Sequence, residues 1–309
     1  MTRCRQFLLA LLLAGLRLNM AGAQTPQPPA KIPAQLLAYN AAAPLGVTRL
    51  SRQREGGVVV EDIRFASVAG NPPIAAYVVR PDTSAGPLAG VLFVHWFEPS
   101  SPTSNRTQFL DEARALARRG TVAVLVSTFW SDTVRYRSRR WQDDYRNTIR
   151  QGQDLRRALD VLLAQPQVDA KRIGYVGHDY GAMFGALVAG ADPRIKAGVF
   201  IAGTARFADW YLFGSASGRP TGAALPAFKS QLAPLDPIQA LKHTKAALFF
   251  QFGELDGYTP RPDFLALYQA APSPKRIATY PARHAMALPI IRYDRTDWLA
   301  EQLGLPAPR

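Results

Sequence analysis

The stretch Arg172-Ile-Gly-Tyr-Val-Gly-His-Asp-Tyr-Gly-Ala-Met-Phe-Gly185 decides the fold. Its apolar run, Ile173 to Val176, predicts a buried strand, Gly177 to Gly181 a tight turn, and Ala182 to Gly190, rich in small residues, a helix that packs back on the sheet. In the form Gly-x-Ser-x-Gly, such an elbow lifts a nucleophile above the carboxyl end of a parallel sheet, and its glycines clear space for a strained backbone. Here the central residue is Asp179.

On either side the pattern repeats. Val58 to Phe65 and Ile74 to Arg80 are β-rich runs separated by Gly70-Asn-Pro-Pro73, which predicts a hairpin with a longer loop. From Gly90 onward strands and helices alternate. The strands are Val91–Val94, Val122–Val126, the elbow strand, Ala197–Ala202, Ala246–Gln251 and Arg276–Tyr280. The helices are Thr107–Arg119, Asp143–Ala164, the elbow helix, one near Pro262–Ala271 and one near Thr296–Leu303, and the segment up to Thr244 reads as irregular. Continuous apolar strands between amphipathic helices imply an α/β fold, a mostly parallel central sheet with helices on both faces and an N-terminal β-hairpin.

The 309 residues, 48% hydrophobic, suffice for a large core in one domain. Arg3 and Arg5, the apolar run Phe7 to Leu16 and the small residues Ala21-Gly-Ala23 read as a secretory signal peptide over residues 1–23, cleaved near Ala23. The run is too short to span a bilayer, so no stable membrane span is expected after cleavage. This predicts a periplasmic or secreted protein. Residues 24–56 read as a Pro-rich linker and N-terminal extension, with a short helix over Gln35 to Ala42, and 57–309 as the α/β domain. Cys4, the sole cysteine, lies in the leader, which excludes disulfides and thiol chemistry in the mature chain. The formal charge is +14; removing Arg3, Arg5 and Arg17 leaves 34 basic against 23 acidic residues, or +11. Such an excess favours anionic partners. No nucleic-acid motif accompanies it, and no metal-ligand spacing or cofactor motif is present.

Asp256, in Gly253-Glu-Leu-Asp-Gly-Tyr-Thr-Pro260, and His284, in Tyr280-Pro-Ala-Arg-His284, each follow a predicted strand. In an open α/β sheet the site forms at these carboxyl ends. The elbow, the acid and the histidine, in that order, resemble an α/β hydrolase of the branch that holds dienelactone hydrolases and related esterases and peptidases, over roughly Val58 to the C-terminus. That branch most often has serine or cysteine at the elbow. Gly177-His-Asp-Tyr-Gly181 is instead similar to the elbow of haloalkane dehalogenases and epoxide hydrolases. Tyr180 stands where those enzymes often have tryptophan, and His95-Trp-Phe-Glu-Pro99 lacks their glycine after histidine, so neither activity is assigned.

The resemblance implies a hydrolase with Asp179 as nucleophile, Asp256 as acid and His284 as base. It implies oxyanion donors at the Tyr180 backbone N–H and near Trp96 or Phe97. A carboxylate can displace a leaving group at saturated carbon and form an ester that activated water hydrolyses. Attack on an ordinary ester would instead give an anhydride. Alternatives are a helix-capping Asp179 in a catalytically silent binding protein, or an esterase-like enzyme in which Asp179 is not a covalent nucleophile. Asp256 alternatively serves a turn. His95 and His178 read as backbone-bonding histidines. The segment 204–244 reads as a small cap, with Trp210 and Tyr211 either lining the pocket or packing the segment down. In Arg135-Tyr-Arg-Ser-Arg-Arg-Trp141, Arg135 and Arg137 could hold an anionic small-molecule substrate; the alternative is a solvated charged loop.

Overall fold

A computed structural model describes residues 33–68, 71–83, 86–213 and 218–307. The signal-peptide expectation and most of the Pro-rich linker lie outside them. Nine strands form one sheet in the order β1-β2-β3-β5-β4-β6-β7-β8-β9. They are β1 Thr48–Glu55, β2 Val58–Phe65, β3 Ile74–Pro81, β4 Leu88–Val94, β5 Thr121–Val126, β6 Val168–His178, β7 Ala197–Ile201, β8 Ala247–Gly253 and β9 Lys275–Tyr280. The first three pair antiparallel, β3 joins β5 antiparallel, and every later pair is parallel. This is the α/β-hydrolase fold, with the hairpin β2–β3 at its antiparallel end.

The helices are α1 Pro33–Leu36, α2 Leu110–Ala117, α3 Thr133–Arg137, α4 Asp144–Leu163, α5 Tyr180–Ala191, α6 Phe207–Phe213, α7 Ala224–Leu232, α8 Pro237–Ala240, α9 Arg261–Ala270 and α10 Pro289–Gln302. One face of the sheet is covered by α4 and α5, the other by α2 and α10, and each face has its own apolar core. All residues of β4, β5 and β7 are buried, as expected of strands covered on both sides. On the second face, Arg295 of α10 makes a buried bidentate pair with Glu112 of α2, at 2.6 Å for the shortest contact.

Three expectations change. The N-terminal extension contributes a strand that the sequence pattern did not predict: β1 pairs along β2, although all eight of its residues are exposed. Thr-Arg-Leu-Ser-Arg-Gln-Arg-Glu has no apolar alternation, because this edge strand is held by backbone pairing and buries neither face. The segment before Thr244 is helical rather than irregular, with α6 to α8. The last helix starts at Pro289, whose fixed φ suits a first helical turn, well before Thr296.

Register sets the working edge. Val94 pairs with Gly177 and His178 with Ile201, so β4, β6 and β7 end level. Gly253 pairs with Tyr280, which brings the loops carrying Asp256 and His284 to the same end.

Candidate active site

The elbow is built by exclusion. A Cβ on Gly177 would lie 2.2 Å from the carbonyl oxygen of Gly181, and one on Gly181 would lie 2.1 Å from that of Val94. Only glycine permits both approaches. Between them Asp179 takes φ 55° and ψ −116°, a conformation that costs on the order of 1–3 kcal/mol. Its N–H donates to Ile201 O at 2.8 Å, and its carbonyl accepts from Ala182 and Met183 at 3.0 Å each, which anchors the first turn of α5. Its side chain makes no capping hydrogen bond to the helix.

The carboxylate is held unevenly. Oδ2 accepts the Phe97 N–H at 3.0 Å, whereas Oδ1 is buried without a hydrogen-bond partner among the described residues. Tyr180, as the first residue of α5, offers an N–H with no acceptor inside the helix. The Trp96 N–H donates instead to Gln108 Oε1 at 2.9 Å, so of the loop amides it is Phe97 that serves the site.

His284 Nδ1 lies 2.8 Å from Asp256 Oδ2, and its Nε2 is 3.9 Å from Asp179 Oδ2, an ion pair too long for a hydrogen bond. Asp256 Oδ1 accepts the N–H groups of Tyr258 and Thr259. Burial would lower the His284 pKa, but the two carboxylates outweigh it and raise it to about 9. Burial raises the pKa of Asp179 against the pull of His284 and the Phe97 amide. Burial would also raise that of Asp256, but His284 and the two loop amides turn its shift downward. Asp256 and Asp179 thus draw the His284 ring toward its imidazolium form, while burial works against full charge on Asp179.

Trp210 of α6 stacks on His284 at 5.8 Å between centroids, while Tyr211 turns to α4, its hydroxyl 2.8 Å from that of Thr148. Trp210 thus belongs to the site and Tyr211 to the packing beneath it. The Tyr180 ring is buried among Trp130, Tyr136 and Trp210, and its hydroxyl contacts that of Tyr136. Arg135 and Arg137 are exposed, and no ion pair or hydrogen bond among the described residues joins either to the cluster. Arg135 lines a separate cavity of about 290 Å³ with Asn71, Phe129, Arg150 and Asp154. The arginine that sequence reasoning missed is Arg139, buried against Asp144 at 2.8 Å and placed over the Tyr136 and Tyr211 rings. Only the alternation of exposed Arg137 with buried Tyr136 and Arg139 distinguishes it. His95 is buried, with Thr128 and Ser131 hydroxyls at its Nε2. No group of three or more potential metal ligands is assembled among the described residues.

The sequence profile of the dienelactone hydrolase family matches residues 74–296. The chain belongs to the dienelactone hydrolase family. It is a hydrolase of α/β-hydrolase fold. Among solved structures it is similar to an acetyl xylan esterase from Paenibacillus sp. R4, at 18% identity over 87% of this chain and 92% of that one, with a TM-score of 0.70. It is also similar to acetyl xylan esterase 1 from Thermoanaerobacterium sp. JW/SL YS485, at 16% identity over 87% and 91%, with a TM-score of 0.67. At these identities the likeness speaks for the fold alone. A search among curated proteins finds no match. No helix among the described residues is long and apolar enough to cross a membrane.

Proposed function

We propose that this member of the dienelactone hydrolase family is an exported enzyme that attacks a small molecule through Asp179, with His284 as base and Asp256 as its partner. The observation that carries the reading is the divided carboxylate: Oδ2 is held by the Phe97 N–H, while Oδ1 is buried without a partner. Such an oxygen is desolvated and its lone pairs are not engaged by a donor, which favours nucleophilic attack.

In the first step Oδ1 bonds to a saturated carbon and the leaving group departs with its electron pair. An alkyl ester of Asp179 forms and one carboxylate charge facing His284 disappears. The imidazolium then holds its proton less tightly and releases it to the leaving group or to solvent. In the second step neutral His284 takes a proton from water, which adds to the Asp179 carboxyl carbon. The charge that develops on the carboxyl oxygen is met by the Phe97 and Tyr180 N–H groups. Collapse expels the alcohol, which takes the proton from His284; the remaining carboxyl proton of Asp179 then passes to His284, which restores the carboxylate and the imidazolium.

Single-turnover reaction in heavy-oxygen water tests this, using the fastest substrate from a panel of haloalkanes, epoxides and aryl esters. Label is expected in the Asp179 carboxylate. Label in the product alone would remove the covalent step and favour the second reading, direct attack of His284-activated water in an esterase. Export rests on Arg3, Arg5, the apolar run 7–16 and Ala21-Gly-Ala23. N-terminal sequencing of secreted or periplasmic protein should begin near Gln24.

A further inference from the structure

Gln108, in the turn before α2, touches two parts of the site through one amide. Its Oε1 accepts the Trp96 N–H at 2.9 Å, its Nε2 lies 2.7 Å from His178 Nδ1, and His178 Nε2 lies 2.8 Å from the carbonyl oxygen of His284. One arrangement of protons satisfies all three contacts. The His284 carbonyl can only accept, so His178 Nε2 carries the proton. The Trp96 amide can only donate, so Gln108 presents its oxygen there and its NH2 to His178, whose Nδ1 accepts. The Trp96 ring stacks on His178 at 5.0 Å and 8°, which closes the assembly.

The chain Trp96–Gln108–His178–His284 joins the loop that offers the Phe97 amide to the loop that carries the imidazole. It passes through the residue just before Asp179. The Phe97 N–H and His284 Nε2 both face Asp179 Oδ2, at 3.0 and 3.9 Å. We infer that Gln108 is a positioning residue, which acts through a neutral His178 to set the spacing between the amide that holds Asp179 and the imidazole that serves it. This rests on the proposed role of Asp179.

Burial, with the charge of His284 beside it, holds His178 well below the ordinary imidazole range, so the single-proton form persists at neutral pH. The titratable groups around His284 are Asp179, Asp256, His178 and Tyr258, while Arg295, paired with Glu112, acts on His178 from behind.

Two variants test the inference. Gln108→Leu leaves the Trp96 amide and His178 Nδ1 unpaired. Gln108→Glu keeps an acceptor for the Trp96 N–H, which preserves the loop, but offers Nδ1 no proton, so His178 must take a second one to keep both contacts. Nitrogen-15 NMR of the histidine rings needs no substrate. In the wild type His178 should be neutral with its proton on Nε2. Gln108→Glu should make it an imidazolium, and this like charge, 5.5 Å from the His284 ring and offset only in part by the more distant Glu carboxylate, should lower the His284 midpoint by about half a pH unit. Gln108→Leu should lower the same midpoint by letting the imidazole leave its place between the carboxylates. On the fastest panel substrate, Gln108→Leu should lose about 100-fold in kcat with KM within about threefold, the scale expected for a misplacement near 1 Å. A purely structural glutamine would lower Tm without moving the His284 titration. A wild-type His178 protonated on Nδ1, or a His284 midpoint unchanged in both variants, overturns the inference. Asp179→Asn, measured alongside, separates the two proposals: if it retains turnover the nucleophile assignment fails, whereas full activity of both Gln108 variants beside an inert Asp179→Asn sinks the positioning role alone.

Discussion

The Nε2 atom of His284 stands 3.9 Å from Oδ2 of Asp179, while Nδ1 of the same ring is hydrogen-bonded to Asp256 at 2.8 Å. The imidazole is thus oriented by one carboxylate and only attracted by the other, with its free nitrogen turned toward the elbow. Asp179→Asn removes one of the two charges that raise the His284 pKa to about 9. The His284 midpoint, read by NMR, should fall in this variant while the fold is kept. An unchanged midpoint would show that Asp179 does not act on the ring.

The same shift links stability to pH. The folded-state pKa of His284, about 9, exceeds its ordinary value of 6.5, so the stabilisation is complete below the ordinary value and is lost as pH rises through the folded one. Chemical denaturation at a series of pH values should show a loss on the order of 2–3 kcal/mol between about pH 6 and pH 10. His284→Gln should flatten that portion of the curve.

Replacing Asp256 with Asn removes the charge that steadies the imidazolium and leaves Nδ1 with a neutral partner. In the proposed two-step reaction, the second step depends on His284 more than the first. Turnover should therefore fall by about 10³–10⁴ while the ester on Asp179 accumulates. Mass spectrometry of the quenched enzyme would reveal it, and equal slowing of both steps would contradict the division of roles.

At Gly181 a new Cβ would sit 2.1 Å from Val94 O and 3.0 Å from His95 O, both backbone atoms of the loop that presents Phe97. Gly181→Ala should cost about 3 kcal/mol or more, or prevent folding. A normal unfolding midpoint would mean that the elbow and loop can separate without penalty.

Beyond His284 the mouth of the site is aromatic. Trp210 stacks on Phe213 at 6.0 Å, Phe213 meets Tyr258 at 5.5 Å, and Tyr258 returns to His284 at 5.1 Å. Exposure rises along this circuit from 8% at His284 to 59% at Phe213. Exposed rings beside a reactive centre suit an apolar part of a ligand. Phe213→Ala should raise KM for aryl substrates several-fold and leave that for short alkyl substrates near its starting value, as steady-state kinetics would show.

Much of this architecture is local. Leu88–Val94, Thr121–Val126 and Ala197–Ile201 are buried on both faces, so their strands are written as unbroken apolar runs. The elbow is legible because its two glycines, four residues apart, flank Asp179: Gly177 is required by a contact within the turn and Gly181 by the approach of Val94. The exposed β1 carries no such pattern, since its place comes from hydrogen bonds to β2 and not from side-chain burial. The helix α6 likewise hides in a stretch whose Trp210 and Tyr211 go to different neighbours.

For the site, the sequence by itself determined the chemical groups: Asp179 on the elbow, Asp256 and His284 after later strands, and the family to which that order belongs. Only the tertiary structure decided their relations. It separated Oδ1 of Asp179 from Oδ2, selected the Phe97 amide over that of Trp96, placed Trp210 against His284 and drew Gln108 and His178 into the support. It also left Arg135 and Arg137 exposed and buried Arg139 instead. The physical reason is range: the strand, turn and helix of the elbow are specified within a few residues, whereas the contacts of Phe97 with Asp179, Trp210 with His284 and Gln108 with His178 join residues 70 or more positions apart, whose approach is set by sheet register and by the packing of loops at one edge.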